Sequence, residues 1–126
     1  QSNKAFKMNT NLAEKTCVPC RGGIPPLLAD EVKKLLPEAA GWQAIEEHTK
    51  IQVHFKFKNF RESLDFVSRV GELAEAEFHH PLFINFGWGF ATIMLQTKKI
   101  KGLHENDFIM AAKINEIAAG IDANEE

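Results

Sequence analysis

Between Ile51 and Lys58 the chain alternates strictly: Ile51, Val53, Phe55 and Phe57 are apolar, and Gln52, His54, Lys56 and Lys58 are polar. A period of two sends successive side chains to opposite faces, so this stretch predicts a β-strand with one buried and one wet face. Trp42 to Glu46 predicts a shorter strand, and Glu47-His48-Thr49-Lys50 the turn that closes the two into an antiparallel hairpin. The period then changes. From Asn59, a helix-capping residue, the apolar positions Phe60, Leu64, Val67, Gly71, Ala74 and Phe78 are spaced 4-3-4-3-4, with Val70 and Leu73 widening the stripe. That spacing predicts a long helix, with Gly71 marking a close helix contact. It should stop around Phe78 to His80, because Pro81 disfavours the α conformation in the residue before it.

Leu82 to Phe86 and Phe90 to Thr97 predict two further strands around Gly87-Trp88-Gly89, followed by a basic loop from Lys98 to Gly102. A final helix is expected from Glu105 to Ala119, with Phe108, Ala111, Ala112, Ile114 and Ile117 inward and Asn106 or Asp107 near its positive end. Ahead of the hairpin, Asp30 is expected to cap a short helix carrying Val32, Leu35 and Leu36 and ending near Pro37. The order is α-β-β-α-β-β-α: an α+β fold with a four-stranded antiparallel sheet and three helices packed on one face. Residues 17–120 are expected to form a single domain, 1–16 a flexible N-terminal segment or expression scar, and 121–126 a tail.

Composition narrows the function classes. The 126 residues include 44% hydrophobic and 25% charged positions, ordinary for a globular domain. A formal net charge of −2 gives no electrostatic reason to expect nucleic acid or an anionic membrane as partner. No apolar run approaches the roughly 20 residues that span a bilayer, and the polar start predicts no secretory signal. Ten Phe and no Tyr bear on packing rather than chemistry. Cys17 and Cys20 form a CxxC followed by Gly22-Gly23-Ile24-Pro25-Pro26, a loop rather than the helix a redox motif opens. Reduced thiols, a metal site completed elsewhere, and a disulfide all remain open for this pair.

The candidate chemistry sits at the end of the long helix, in His79-His80-Pro81. Imidazole titrates nearest neutrality of all side chains, so a histidine pair can serve as acid and base at little cost. Glu75 and His79 are four residues apart on a helix, so the carboxylate is expected to meet and orient that imidazole. The plain alternative is an exposed helix end with a weak ion pair. A metal site is not expected from adjacent histidines whose side chains diverge. His48 and His54 read as solvated, His104 either joins a site or caps the last helix, and Lys98-Lys99-Ile100-Lys101 reads as a solvated turn at a sheet edge.

The run Glu75-xxx-His79-His80-Pro81, then Trp88, then position 98 after nine residues, then Asp107 after eight more, resembles the signature of the pterin-4a-carbinolamine dehydratases. This family is also known as the dimerisation cofactor of a homeodomain transcription factor. Gly41-Trp42, Phe55-Lys56-Phe57-Lys58-Asn59-Phe60, Ile100 to Phe108 and Cys17-xx-Cys20 are similar to its bacterial branch, so the resemblance runs over about residues 17–119. It implies elimination of water from 4a-hydroxytetrahydrobiopterin to give quinonoid dihydropterin, in the recycling of tetrahydrobiopterin during aromatic amino-acid hydroxylation. It also implies a cytoplasmic homodimer or homotetramer joined through a sheet edge and the long helix, with no cofactor.

By the same resemblance His79 and His80 are catalytic, Glu75, Pro81 and Asp107 support them, and Trp42 and Trp88 help form the pterin pocket. One position departs from the pattern. The family's third histidine belongs at position 98, where this chain has Lys98. A lysine whose reference pKa is about 10.4 is a poor proton shuttle unless its surroundings lower that value, so Lys98 or His104 would have to take over the missing role. The departure leaves a second expectation open: a relative with weak catalysis that works by binding protein, as coactivator or assembly factor.

Overall fold

The computed structural model describes residues 12–18 and 22–124, with side chains described to residue 121. Cys20 and most of the N-terminal segment lie outside that range. The elements come in the expected order: α1 (Ala29–Leu35), β1 (Gln43–Ile45), β2 (Lys50–Lys56), α2 (Phe60–Glu77), β3 (Phe83–Gly87), β4 (Phe90–Leu95) and α3 (Glu105–Asn124). The four strands form one antiparallel sheet in the order β1-β2-β4-β3, so the two hairpins meet through β2 and β4 and leave β1 and β3 at the edges.

Register explains the inner face. Ile51 lies opposite Leu95, Val53 opposite Ile93, and Phe55 opposite Ala91, while Ile93 and Ala91 face Ile84 and Phe86 across β3. Ile51, Ala91, Ile93 and Leu95 are fully buried, and each helix adds a fully buried side chain to the same core: Val32 from α1, Phe66 from α2 and Phe108 from α3. Removing such a side chain from water is worth about 1.5–3 kcal/mol, which is what holds the helices on this face. The alternate residues of β2 face outward. There His54 Nδ1 lies 2.7 Å from Thr92 Oγ1, and its ring stacks on Phe90.

Three local expectations are corrected. The first concerns which face of α2 is buried. The core ridge is Ser63, Phe66, Val70 and Ala74, and the expected stripe residues Phe60 and Phe78 are exposed at 44% and 87%. The helix carries two adjacent apolar ridges, and Phe66 decides between them by packing its ring 5.1 Å from Phe55 and 5.0 Å from Phe57. Gly71 consequently makes no close helix contact, since a Cβ there would meet nothing within 4 Å. Second, α1 begins at Ala29, and the Leu28 N–H donates to Glu31 Oε1 at 2.7 Å, so Asp30 lies inside the first turn instead of capping it. Third, α3 runs beyond Ala119 to Asn124, and Ile109, Met110, Ala118 and Ile121 are buried along with the expected Phe108, Ala111, Ala112 and Ile114, while Ile117 is half-buried.

The cap of α2 is as expected, with Asn59 Oδ1 accepting the Glu62 N–H at 2.9 Å. Its end sets up the site. Phe78 takes the left-handed conformation (φ 55°), so the chain leaves the helical path before His79. The Leu82 N–H then donates to Met94 O at 2.7 Å and feeds the chain into β3.

Candidate active site

His79 is buried, at 8% exposure, and its partner is not Glu75. Its Nε2 lies 2.8 Å from Oδ1 of Asp107, a fully buried carboxylate at the start of α3. Asp107 Oδ2 accepts two more donors, the Thr97 hydroxyl at 2.7 Å and the His104 N–H at 3.0 Å. Three donors on one buried carboxylate compensate its loss of water and leave it no freedom to turn. The acceptor-only carboxylate also requires the proton on His79 Nε2, which leaves Nδ1 as the nitrogen able to take one up.

Asp107 occupies this position because it is part of a helix cap. His104 is the capping residue of α3: its Nδ1 accepts the Asn106 N–H at 3.0 Å, and Asp107, three residues on, reaches back to the His104 N–H. This is a capping box with an imidazole in place of the usual hydroxyl. Of the two roles open to His104, capping is the one observed.

Glu75 pairs with His80 instead, Oε2 to Nε2 at 2.6 Å, with both side chains exposed. The expected i, i+4 pairing with His79 fails for a local reason. The left-handed Phe78 turns the backbone off the helical path, so His79 points inward and His80 takes the outward position beside the helix. Being solvated, this pair contributes little to stability and serves to hold the His80 ring.

A cavity of about 330 Å³ lies between these histidines and the basic loop, with residues 78–81 on one wall and residues 96–99 on the other. Pro81 and Lys98 therefore line the same cavity as the two histidines, and Lys98 opens a short 3-10 turn over Lys98–Ile100. The turn is clamped at its base. Thr97 and Gly102 form an isolated bridge, and Gly102 backs onto Pro26 so closely that a Cβ there would lie 2.5 Å from the Pro26 Cβ.

Neither tryptophan is brought to this cavity. Trp42 is buried in the core and donates its indole N–H to Asn115 Oδ1 at 2.9 Å, far along α3. Trp88 is 69% exposed in the β3–β4 turn, beyond the Gly87–Phe90 pair. The histidines enter at the other end of that hairpin, next to the Phe83–Met94 pair.

Sequence reasoning misses Thr97, whose hydroxyl fixes Asp107 ten residues away, and Asn106 and Glu77, which fasten Cys17 and Val18 across the start of α3. The Val18 N–H donates to Asn106 Oδ1 at 3.0 Å and Asn106 Nδ2 to Val18 O at 2.7 Å, while the Cys17 N–H donates to Glu77 Oε1 at 2.8 Å. No periodicity or motif signals a contact spanning 60 to 88 residues. Burial pushes the Cys17 thiol up to about 12, with the Glu77 carboxylate adding to the effect. Burial also pushes the Glu77 carboxyl up, but the Cys17 N–H and the Lys113 ammonium outweigh it and hold it below the usual range. A thiol so protonated is neither a nucleophile nor a ready metal ligand at neutral pH. Among the described residues no group of three or more His, Cys, Asp or Glu is arranged to hold a metal ion, and no helix is long and apolar enough to cross a membrane.

Known proteins share both the sequence and the fold. A family profile for pterin 4 alpha carbinolamine dehydratase matches residues 25–117. A relative from Cupriavidus pinatubonensis, named provisionally as pterin-4-alpha-carbinolamine dehydratase 1, is 54% identical over 90% of this chain and 97% of its own. One from Methylococcus capsulatus, with the same provisional name, is 55% identical over 86% and 95%. The crystal structure of a transcriptional coactivator/pterin dehydratase from Brucella melitensis superposes with a TM-score of 0.70 at 31% identity, covering 74% of this chain and 98% of that one. A pterin dehydratase-like protein identified as a RuBisCO assembly factor in the alpha-carboxysome has a TM-score of 0.55 at 23% identity, a likeness of fold alone. With the profile covering most of the chain and relatives above half identity along nearly their full length, the chain belongs to the pterin-4a-carbinolamine dehydratase family.

Proposed function

We propose that the protein dehydrates 4a-hydroxytetrahydropterins, of which 4a-hydroxytetrahydrobiopterin is the family's implied substrate, as a step in tetrahydrobiopterin recycling. The observation that carries this reading is His79, fixed by the buried Asp107 on the wall of a cavity that His80 shares. The reaction breaks the bond between C4a and its hydroxyl, removes the proton from the neighbouring ring N–H, and leaves a C=N bond and water. It needs one group to take the ring proton and one to protonate the departing oxygen. His79, with Nε2–H committed to Asp107, offers Nδ1 as the base. His80, its ring held by Glu75, supplies the proton to the leaving hydroxyl, and Lys98 stands by to hold that oxygen.

Mixing the purified protein with synthetic 4a-hydroxytetrahydropterin in a stopped-flow spectrophotometer tests the proposal. Quinonoid dihydropterin should appear faster than in the spontaneous reaction, in proportion to protein concentration. A rate equal to the spontaneous one sinks it and favours the second reading, a protein-binding member of the family, which the lysine at position 98 motivates. We also propose a homodimer or homotetramer using the free edge of β3, where Phe83 is 43% exposed and Phe60 stacks against Phe86. Light scattering should then give a multiple of the 14.2 kDa chain mass; the monomer mass would rule self-association out.

A further inference from the structure

Resting on the dehydratase reading above, we infer that Asn106 and Glu77 are positioning residues for that reaction: through the strap Cys17-Val18 they hold in place the two chain segments that carry His79 and Asp107. The two residues flank the pair. Asn106 directly precedes Asp107 at the start of α3, and Glu77, the last residue of α2, stands two residues before His79. The strap runs between them. The Cys17 N–H donates to Glu77 Oε1 at 2.8 Å, while Val18 donates its N–H to Asn106 Oδ1 at 3.0 Å and accepts Asn106 Nδ2 at 2.7 Å. Two bonds between one side-chain amide and one backbone residue fix the orientation of both, as a paired strand residue would.

This brace is sheltered and anchored. Asn106 is 1% exposed, and Leu12, upstream on the strap, is buried in the core. Lys113, two turns further along α3, donates to Ala13 O at 2.8 Å and lies 3.6 Å from Glu77 Oε2, so the Glu77 carboxylate meets the strap and α3 together. With little water to compete, these bonds hold their geometry. His79 needs such support, because it follows the left-handed Phe78 on the irregular segment between α2 and β3. The 2.8 Å bond from His79 to Asp107 is one link between the two segments, and the strap adds another within two residues of it on either side. None of Cys17, Val18, Glu77 and Asn106 lines the cavity, so their effect on the reaction passes through His79 and Asp107.

Two variants test the inference from opposite sides of the contact: Asn106→Ala, and Val18→Pro, which removes the strap N–H at a residue whose side chain is exposed. Each should lower kcat for dehydration about tenfold with KM unchanged, less than the roughly 10²-fold that a 1 Å misplacement can cost. Glu77→Gln, which keeps an acceptor for the Cys17 N–H, should retain more activity than Glu77→Ala. Asn115→Ala is the control: it removes a comparable link on α3, to Trp42 Nε1 and Ala40 O, and should lower Tm with kcat intact. Proton NMR reads the same geometry without turnover. The downfield His79 Nε2–H signal, assigned by its loss in His79→Ala, should broaden in Asn106→Ala and Val18→Pro and stay sharp in Asn115→Ala. Val18→Pro alone decides the matter if Asn106→Ala does not fold. Folded brace variants that keep the wild-type kcat and the sharp signal overturn the inference and leave the dehydratase reading standing. A wild type no faster than the spontaneous reaction overturns both.

Discussion

Replacing His79 with alanine should slow dehydration of 4a-hydroxytetrahydropterin by about 10²- to 10⁴-fold, down to the floor of the spontaneous reaction, the contribution expected of one general acid–base group. Asp107→Asn should cost a comparable amount although it changes a single atom. Two donors, the Thr97 hydroxyl and the His104 N–H, already converge on Oδ2, so the asparagine carbonyl must face them. The amide NH₂ then faces His79 Nε2, which must become an acceptor, and the proton moves to Nδ1, the atom proposed as base. Stopped-flow turnover measures both losses, with a thermal melt to establish that each variant is folded. A His79→Ala protein with the wild-type rate would take that residue out of the mechanism.

Lys98→His should have the opposite sign, raising turnover on a neutral hydroxypterin by about 10²-fold where proton transfer limits the rate. An ammonium ordinarily keeps its proton at neutral pH, whereas an imidazole gives and takes one. The turn that carries position 98 is held by the Thr97–Gly102 bridge, and Thr97 is itself tied to Asp107, so a new imidazole would stand at a defined place on the cavity wall. The measurement is the same stopped-flow assay, comparing wild type, variant and protein-free solution. If wild type matches the protein-free rate and the histidine adds nothing, position 98 is not what restrains catalysis.

The elements are legible because they are local. The alternation from Ile51 to Lys58 gives the strand and its buried face, and Asn59 with Glu62 gives the start of α2. Features set by distant partners stay hidden. Which of two apolar ridges on α2 turns inward depends on Phe66 finding Phe55 and Phe57 across the sheet. Strand order depends on which hairpin edges pair, and nothing in a hairpin's own sequence states that. In the site, the motif singles out His79, His80, Pro81, Lys98 and Asp107 and the structure brings them together, but the expected pairing of carboxylates with imidazoles is inverted. Helical spacing joins Glu75 to His79 only if the helix continues, and one left-handed residue, Phe78, ends it. Trp42 and Trp88 are expected in the pocket through resemblance alone, and this chain holds them in the core and on a hairpin tip.

The capping box of α3 narrows what evolution or an engineer can do at position 107. One carboxylate must close the first turn of the helix and also hold an imidazole, and the two demands tolerate different replacements. Serine would satisfy part of the helix end but not reach His79; asparagine would reach it with the wrong polarity; glutamate, the usual residue in such a cap, adds a methylene at a fully buried position and displaces the carboxylate from its three donors. The intersection of the two requirements is a single amino acid, so mutational tolerance at this site should be lowest at a residue that never touches the substrate.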